Sequence, residues 1–143
     1  MSGDPYNLQR FVDAQAETIS RVTRELRAGR KQSHWMWFIF PQLTGLGRSP
    51  TSNRYGIDSR REAEAYLAHP VLGPRLRECT QLVCSLEKQD PTAVFGSPDD
   101  LKFRSSMTLF ETVGTETDSF TAALSQYYDG ERDEQTLALL EAE

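Results

Sequence analysis

Lys102 and Ser106 in "DDLKFRSSMTLFE", and His34 in "GRKQSHWMWFIFPQLTGLGRSP", are the side chains whose types and spacing could do chemistry. Four residues apart on a helix, Lys102 and Ser106 are neighbours. A lysine beside a serine can activate the hydroxyl as a nucleophile, although the pair is also common on helices that do no chemistry. Lys102 serves equally well as a cation for a phosphate or carboxylate. His34 and His69 are the only two histidines, which excludes a multi-histidine metal site and leaves His34 as the candidate base near neutral pH. A structural hydrogen bond is the other reading of His34. His69, between the end of one helix and Pro70, reads as a cap on helix carbonyls.

Charge gives these residues a setting. Between residues 30 and 61, six basic side chains (Arg30, Lys31, Arg48, Arg54, Arg60 and Arg61) stand against one acid, Asp58, a local +5 in a chain of net charge −5. The remainder is strongly acidic, so general nucleic-acid binding is not expected. A basic segment of this kind is either a solvated face or a site for an anion. Both tryptophans lie in it, and the anion reading is then a site for a phosphorylated or nucleotide-like small molecule. Lys31, Arg48 and Lys102 would hold the anion, Gln42, Ser49 and Ser106 would add polar contacts, and Tyr55 with Trp35 or Trp37 would stack on a ring. Two positions apart on a helix differ by about 200°, so one tryptophan belongs to the core and the other to the site. Hydrolysis of an N-glycosidic or ADP-ribose-type bond, with His34 or a carboxylate handling protons, is the enzymatic form of this reading. The alternative is a noncatalytic interaction domain whose basic segment meets an acidic partner.

Other features bound the possibilities. "GLGRSP" lacks the full dinucleotide fingerprint and follows no strand, so no cofactor is implied. Cys79 and Cys84 are five apart on a helix, which turns them to different faces; they read as reduced core residues, and no metal site is expected. The longest apolar run, residues 35–40, is far short of the roughly 20 residues that span a bilayer. The first residues carry an aspartate and no apolar h-region, so a cytoplasmic protein without a membrane partner is expected.

The elements that must position these residues are helical. Leu8, Phe11, Val12, Ile19, Val22 and Leu26 recur at a helical period, predicting one long amphipathic helix over residues 6–28 that Gly29 ends. Gln15 falls on its apolar stripe, so its amide must find partners inside, in the segment from Lys31 to Gln42. Ser33 is placed to cap a short helix over 34–40, where a buried strand is the competing reading, and Pro41 bars continuation. A long connection without periodicity then runs over residues 43–58, of the length that is usually functional or disordered. Ser59 and Glu62 form a capping box before Ala63, Tyr66 and Leu67. Pro70 opens the next helix, with a seam of Leu72, Leu76, Cys79, Val83 and Leu86. A single turn stopped by Gly96, a helix over 98–113, and helices over 118–128 and 133–141 complete an all-α chain. One domain over residues 1–143 with six to eight helices is the expectation.

The stretches "LQRFVDAQ", "GRKQSHWMWFIFPQLTGLG", "EAEAYLAHPVLGPRLREC", "FGSPDDLKFRSSMTLF" and "YYDGERDEQTLALL" resemble the bacterial domain of unknown function 1810 family over residues 4–140. Its members are sometimes labelled calpastatin, the name of a disordered inhibitor, whereas this sequence has the periodicity of a packed domain. The resemblance implies a compact, mainly helical fold and supplies no catalytic residues. A more distant likeness is to the NADAR family, linked to NAD and ADP-ribose chemistry, with Tyr55, Ser59 and Glu62 as the matching positions. The serine-to-glutamate interval is one residue longer here, and Ala63 stands where that family has a histidine.

Overall fold

Thr18 divides what the sequence presents as one helix. Its N–H donates to the Gln15 carbonyl at 3.0 Å rather than to Ala14, whose carbonyl takes the Thr18 hydroxyl at 2.8 Å. The structure, a computed structural model, describes residues 4–46, 54–87 and 90–143. In it the expected helix over 6–28 is two: α1 (Gln9–Ala16) and α2 (Ile19–Ala28), the second closed by Gly29 at φ 80°. Then follow α3 (Met36–Ile39), α4 (Arg60–Ala68), α5 (Leu72–Cys84), α6 (Pro91–Phe95), α7 (Asp99–Val113), α8 (Asp118–Tyr128) and α9 (Glu134–Glu141). The described residues thus form nine helices, against the six to eight expected, and no strands. One parallel bridge joins Leu43 to Ile57 and ties the start of the long connection to its end.

α7 is the central element. Phe103, Met107, Leu109 and Phe110 are fully buried along it, each worth about 1.5–3 kcal/mol of apolar burial. Phe103 meets Phe95 at 4.5 Å and Phe40 at 4.9 Å between ring centroids, which joins α6 and the end of α3 to the same aromatic cluster. α8, α4 and α9 all pack on α7. Ser105 and Ser106, beside this stripe, are buried as well. α7 is enclosed on more sides than its pattern implies.

Local details differ from the sequence reading in instructive ways. Ser33 does not cap α3, because its hydroxyl donates to Glu25 Oε2 at 2.7 Å; Trp35 occupies the cap position and the helix is one turn. Ser59 caps α4 as expected, accepting from the Glu62 N–H at 3.1 Å. Glu62 reaches past the box, however, to the Asp58 N–H and to Arg10. His69 closes the helix before it as expected, its N–H donating to the Tyr66 carbonyl at 3.2 Å, and it also caps the helix after: its Nδ1 accepts from the backbone N–H groups of Val71 and Leu72. Those donors are among the unpaired first turn of α5. Cys79 and Cys84 are free, and burial pushes the Cys79 thiol up to about 12, with Glu78 adding to the shift.

Candidate functional site

Glu25, on the inner face of α2, organises the aromatic segment. Its carboxylate accepts from the Gln32 N–H at 2.7 Å, the Ser33 N–H at 3.0 Å and hydroxyl at 2.7 Å, and Trp35 Nε1 at 3.0 Å. Burial works against its ionisation, but these donors outweigh it and hold the carboxyl at about 2. The segment is therefore wrapped around a fixed negative charge. Gln15 secures its far side, donating to the Phe38 carbonyl at 2.6 Å and to the Tyr66 hydroxyl at 3.1 Å. The buried glutamine thus has the partners in the segment that its place on the apolar stripe demands.

The two tryptophans separate. Trp35 is core, at 1% exposure, and Trp37 lies half-buried with Lys102 Nζ 4.5 Å from its ring centroid. Asp99 ties the arrangement together, pairing with Lys31 at 2.8 Å through one oxygen and with Lys102 at 3.4 Å through the other. Lys31, with its side chain 8% exposed and its ammonium 5.3 Å from the Trp35 ring, is committed to that pair. Lys102 is the more open of the two, at 21%.

Lys102 stands in the wall of a groove of about 460 Å³ between α7, residues 42–46 and the start of α9. Leu46, Pro98 and Leu101 form its apolar side; Gln42, Lys102, Arg104, Ser105, Asp133 and Gln135 supply the polar one. The α7 members Leu101, Arg104 and Ser105 share a face because they are spaced i, i+3, i+4. Arg104 is distinctive. Its guanidinium rests 5.8 Å from the Tyr128 ring centroid, its Nε is buried without an acceptor, and among the described residues it has no carboxylate partner. Asp133 caps α9 and is oriented by Ser105 Oγ at 3.1 Å and by the Thr136 N–H at 3.1 Å. The groove therefore offers two cations, two amides and one carboxylate against an apolar wall.

The expected site residues divide between this groove and other places. Gln42 and Lys102 line it, and Trp37 carries Lys102. Trp35 and Ser106 are buried, and Ser106 Oγ has no partner while Lys102 Nζ points to Asp99 and Trp37, so the nucleophile pair is not formed. Tyr55 packs on Phe11 and Phe38 beside a separate cleft shared with Arg10 and Arg54. His34 is exposed and lines none of these clefts. Arg48 and Ser49 lie outside the described residues. Glu62 spends both oxygens on Asp58 and on Arg10, the latter at 2.8 Å. Among the described residues no group of acids, cysteines and histidines could hold a metal, and no helix is long and apolar enough to cross a membrane.

A sequence profile of proteins of unknown function, DUF1810, matches residues 5–140. The chain belongs to the DUF1810 family. It is also similar to a conserved hypothetical protein from Mycobacterium tuberculosis whose crystal structure is known, at 55% identity with a TM-score of 0.95. That match covers 96% of this chain and 99% of the other. No curated protein matches it. In this DUF1810 chain the residues that sequence reasoning missed are Glu25, which organises the aromatic segment, and Arg104 and Asp133, which line the candidate groove. Arg104 stands outside the basic segment, and Asp133 reads from sequence only as the first residue of the last helix.

Proposed function

We propose that the groove between α7, α9 and residues 42–46 binds a phosphate-bearing small molecule, with Lys102 and Arg104 holding the anion and Gln42 and Gln135 donating to its remaining oxygens. The observation that carries this reading is Arg104: a buried guanidinium nitrogen without an acceptor, in the wall of a groove that also presents Lys102. Nε itself is closed off from the groove, but the guanidinium has no carboxylate partner among the described residues, so its charge is left for an anion bound there. The groove volume lies in the range of roughly 300–1,000 Å³ typical of small-molecule sites. Leu46, Pro98 and Leu101 offer an apolar surface to the body of the ligand.

Binding, rather than bond cleavage, is the reading the geometry supports best. His34, the candidate base, does not line the groove, and the one acid that does, Asp133, spends one carboxylate oxygen on capping α9. Titration calorimetry with inorganic pyrophosphate and sugar phosphates tests the proposal. Arg104→Ala is expected to weaken binding at least tenfold, and affinity is expected to fall as salt rises from 50 to 500 mM, since exposed charge contacts are screened. Salt-independent binding, or equal affinity in the variant, would return preference to a noncatalytic interaction domain.

A further inference from the structure

Behind Arg104 and Asp133 the groove does not end. A second cleft of about 550 Å³ adjoins it, lined by Arg104, Glu131, Arg132, Asp133, Glu134 and Gln135. Arg104, Asp133 and Gln135 belong to both clefts. Resting on the anion reading above, we infer that the two clefts form one site for a nucleotide sugar. Its ring lies on the Leu46, Pro98 and Leu101 wall, its phosphates on Lys102 and Arg104, and its sugar hydroxyls in the second cleft.

Charge separates the roles of the two clefts. In the first, Lys102 and Arg104 outnumber Asp133. In the second, three carboxylates face two guanidiniums, and one of those, Arg132, is already held by Glu111 through two hydrogen bonds of 2.8 and 2.6 Å. A second phosphate there meets net negative charge and is repelled. Hydroxyl groups are matched instead, because ionised carboxylates only accept hydrogen bonds. Asp133 is the fixed reader of such a hydroxyl: Oδ2 takes Ser105 Oγ, the Thr136 N–H and Thr136 Oγ1, and no hydrogen bond from the described residues reaches Oδ1. The carboxylate is oriented before the ligand arrives, and Asp133 lines both clefts. A nucleoside diphosphate fills only the first cleft; a sugar on its terminal phosphate reaches the second.

Titration calorimetry of the full chain with inorganic pyrophosphate, adenosine and uridine diphosphates, and the glucose conjugate of each diphosphate is the test. At least one conjugate is expected to bind at least tenfold more tightly than its parent diphosphate. Asp133→Asn should bring the ratio of conjugate to parent affinity, measured in the same variant, down to about one, since asparagine is as good a helix cap as aspartate and places an amide donor where the free oxygen was; the parent itself should tighten, because a carboxylate beside its phosphates is gone. Glu134→Gln, at an exposed position, should weaken the conjugate about threefold without touching the diphosphate. Conjugates that bind no better than their parents would overturn the inference and leave the anion site standing. Failure of pyrophosphate and both diphosphates to bind would overturn the anion site, and the inference with it.

Discussion

The ammonium of Lys102 is suspended between the face of Trp37, 4.5 Å from its ring centroid, and an oxygen of Asp99 at 3.4 Å. Asp99 gives its other oxygen to Lys31 at a shorter 2.8 Å. One carboxylate thus serves two lysines, and the longer contact leaves Lys102 with charge to share. The aromatic segment contributes to the groove through Trp37, as the surface on which the cation rests.

Removing that cation should be felt in binding more than in folding. Lys102→Ala is expected to weaken pyrophosphate binding by about 1.5–3 kcal/mol, the range for a hydrogen bond to a charged group. Its stability loss is expected to stay near 1 kcal/mol or less, as for a partly exposed cation–π pair. Calorimetry and urea unfolding of the same variant separate the two. A loss of stability with unchanged affinity would make Lys102 a packing residue only.

Gln15→Leu tests the opposite kind of site. Leucine suits an apolar stripe by composition, yet it leaves the Phe38 carbonyl and Tyr66 hydroxyl without their donor and Arg75 Nη1 without its acceptor at 3.4 Å. A loss of about 1–3 kcal/mol is expected from the buried groups left unpaired. Urea denaturation should show a lower midpoint with an unchanged slope. A stabilised variant would mean that the amide contributes nothing there.

The sequence carries Gln15's inward placement plainly, because a polar residue on a helical apolar stripe has to be buried with partners. Helix identity and most helix ends are equally legible, since they depend on local periodicity, proline and glycine. The break at Thr18 is not: a threonine hydroxyl that returns to the Ala14 carbonyl looks in sequence like any other helical threonine. The candidate groove is legible by half. Lys102 and Gln42 carry an obvious signal, whereas Arg104 and Asp133 become neighbours only when α9 folds back along α7. Net charge along the chain pointed to Lys31, but Asp99, sixty-eight residues on, neutralises it. Long-range pairing of that kind leaves no local pattern.

Gly73 marks a second long-range constraint. A Cβ built there falls 2.1 Å from the Leu67 carbonyl oxygen and 3.0 Å from its carbon. Both are backbone atoms, so relief requires α4 and α5 to move apart. Gly73→Ala is expected to cost about 3 kcal/mol, the upper end of the overpacking range, despite alanine's better helix propensity. Thermal unfolding followed by tryptophan fluorescence reads the loss, and an unchanged midpoint would show that the two helices separate freely.

Glu25 gives the chain a pH dependence whose sign follows from its depressed acidity. Its carboxyl titrates at about 2 when folded, against an ordinary value of 4.5 in the unfolded chain. The stabilisation is therefore fully present above pH 4.5 and is lost as pH falls toward and through 2. Between pH 6 and pH 3 the loss from this residue alone should be about 2 kcal/mol, taking 1.36 kcal/mol per pH unit over the interval below 4.5. Asp4 and Glu111, whose carboxyls are also held low, add to the same acid weakness, so the wild type alone does not isolate Glu25. Glu25→Gln does. It keeps the shape but loses the charge, turning an acceptor from the Ser33 hydroxyl or the backbone into a donor, and should be less stable than wild type by about 1–3 kcal/mol at pH 6. The gap should narrow by about 2 kcal/mol at pH 3, where the wild type has lost what the variant never had. Urea midpoints of the two proteins at both pH values decide the matter: a constant gap would mean that Glu25 does not carry the buried charge around which residues 32–35 are wrapped.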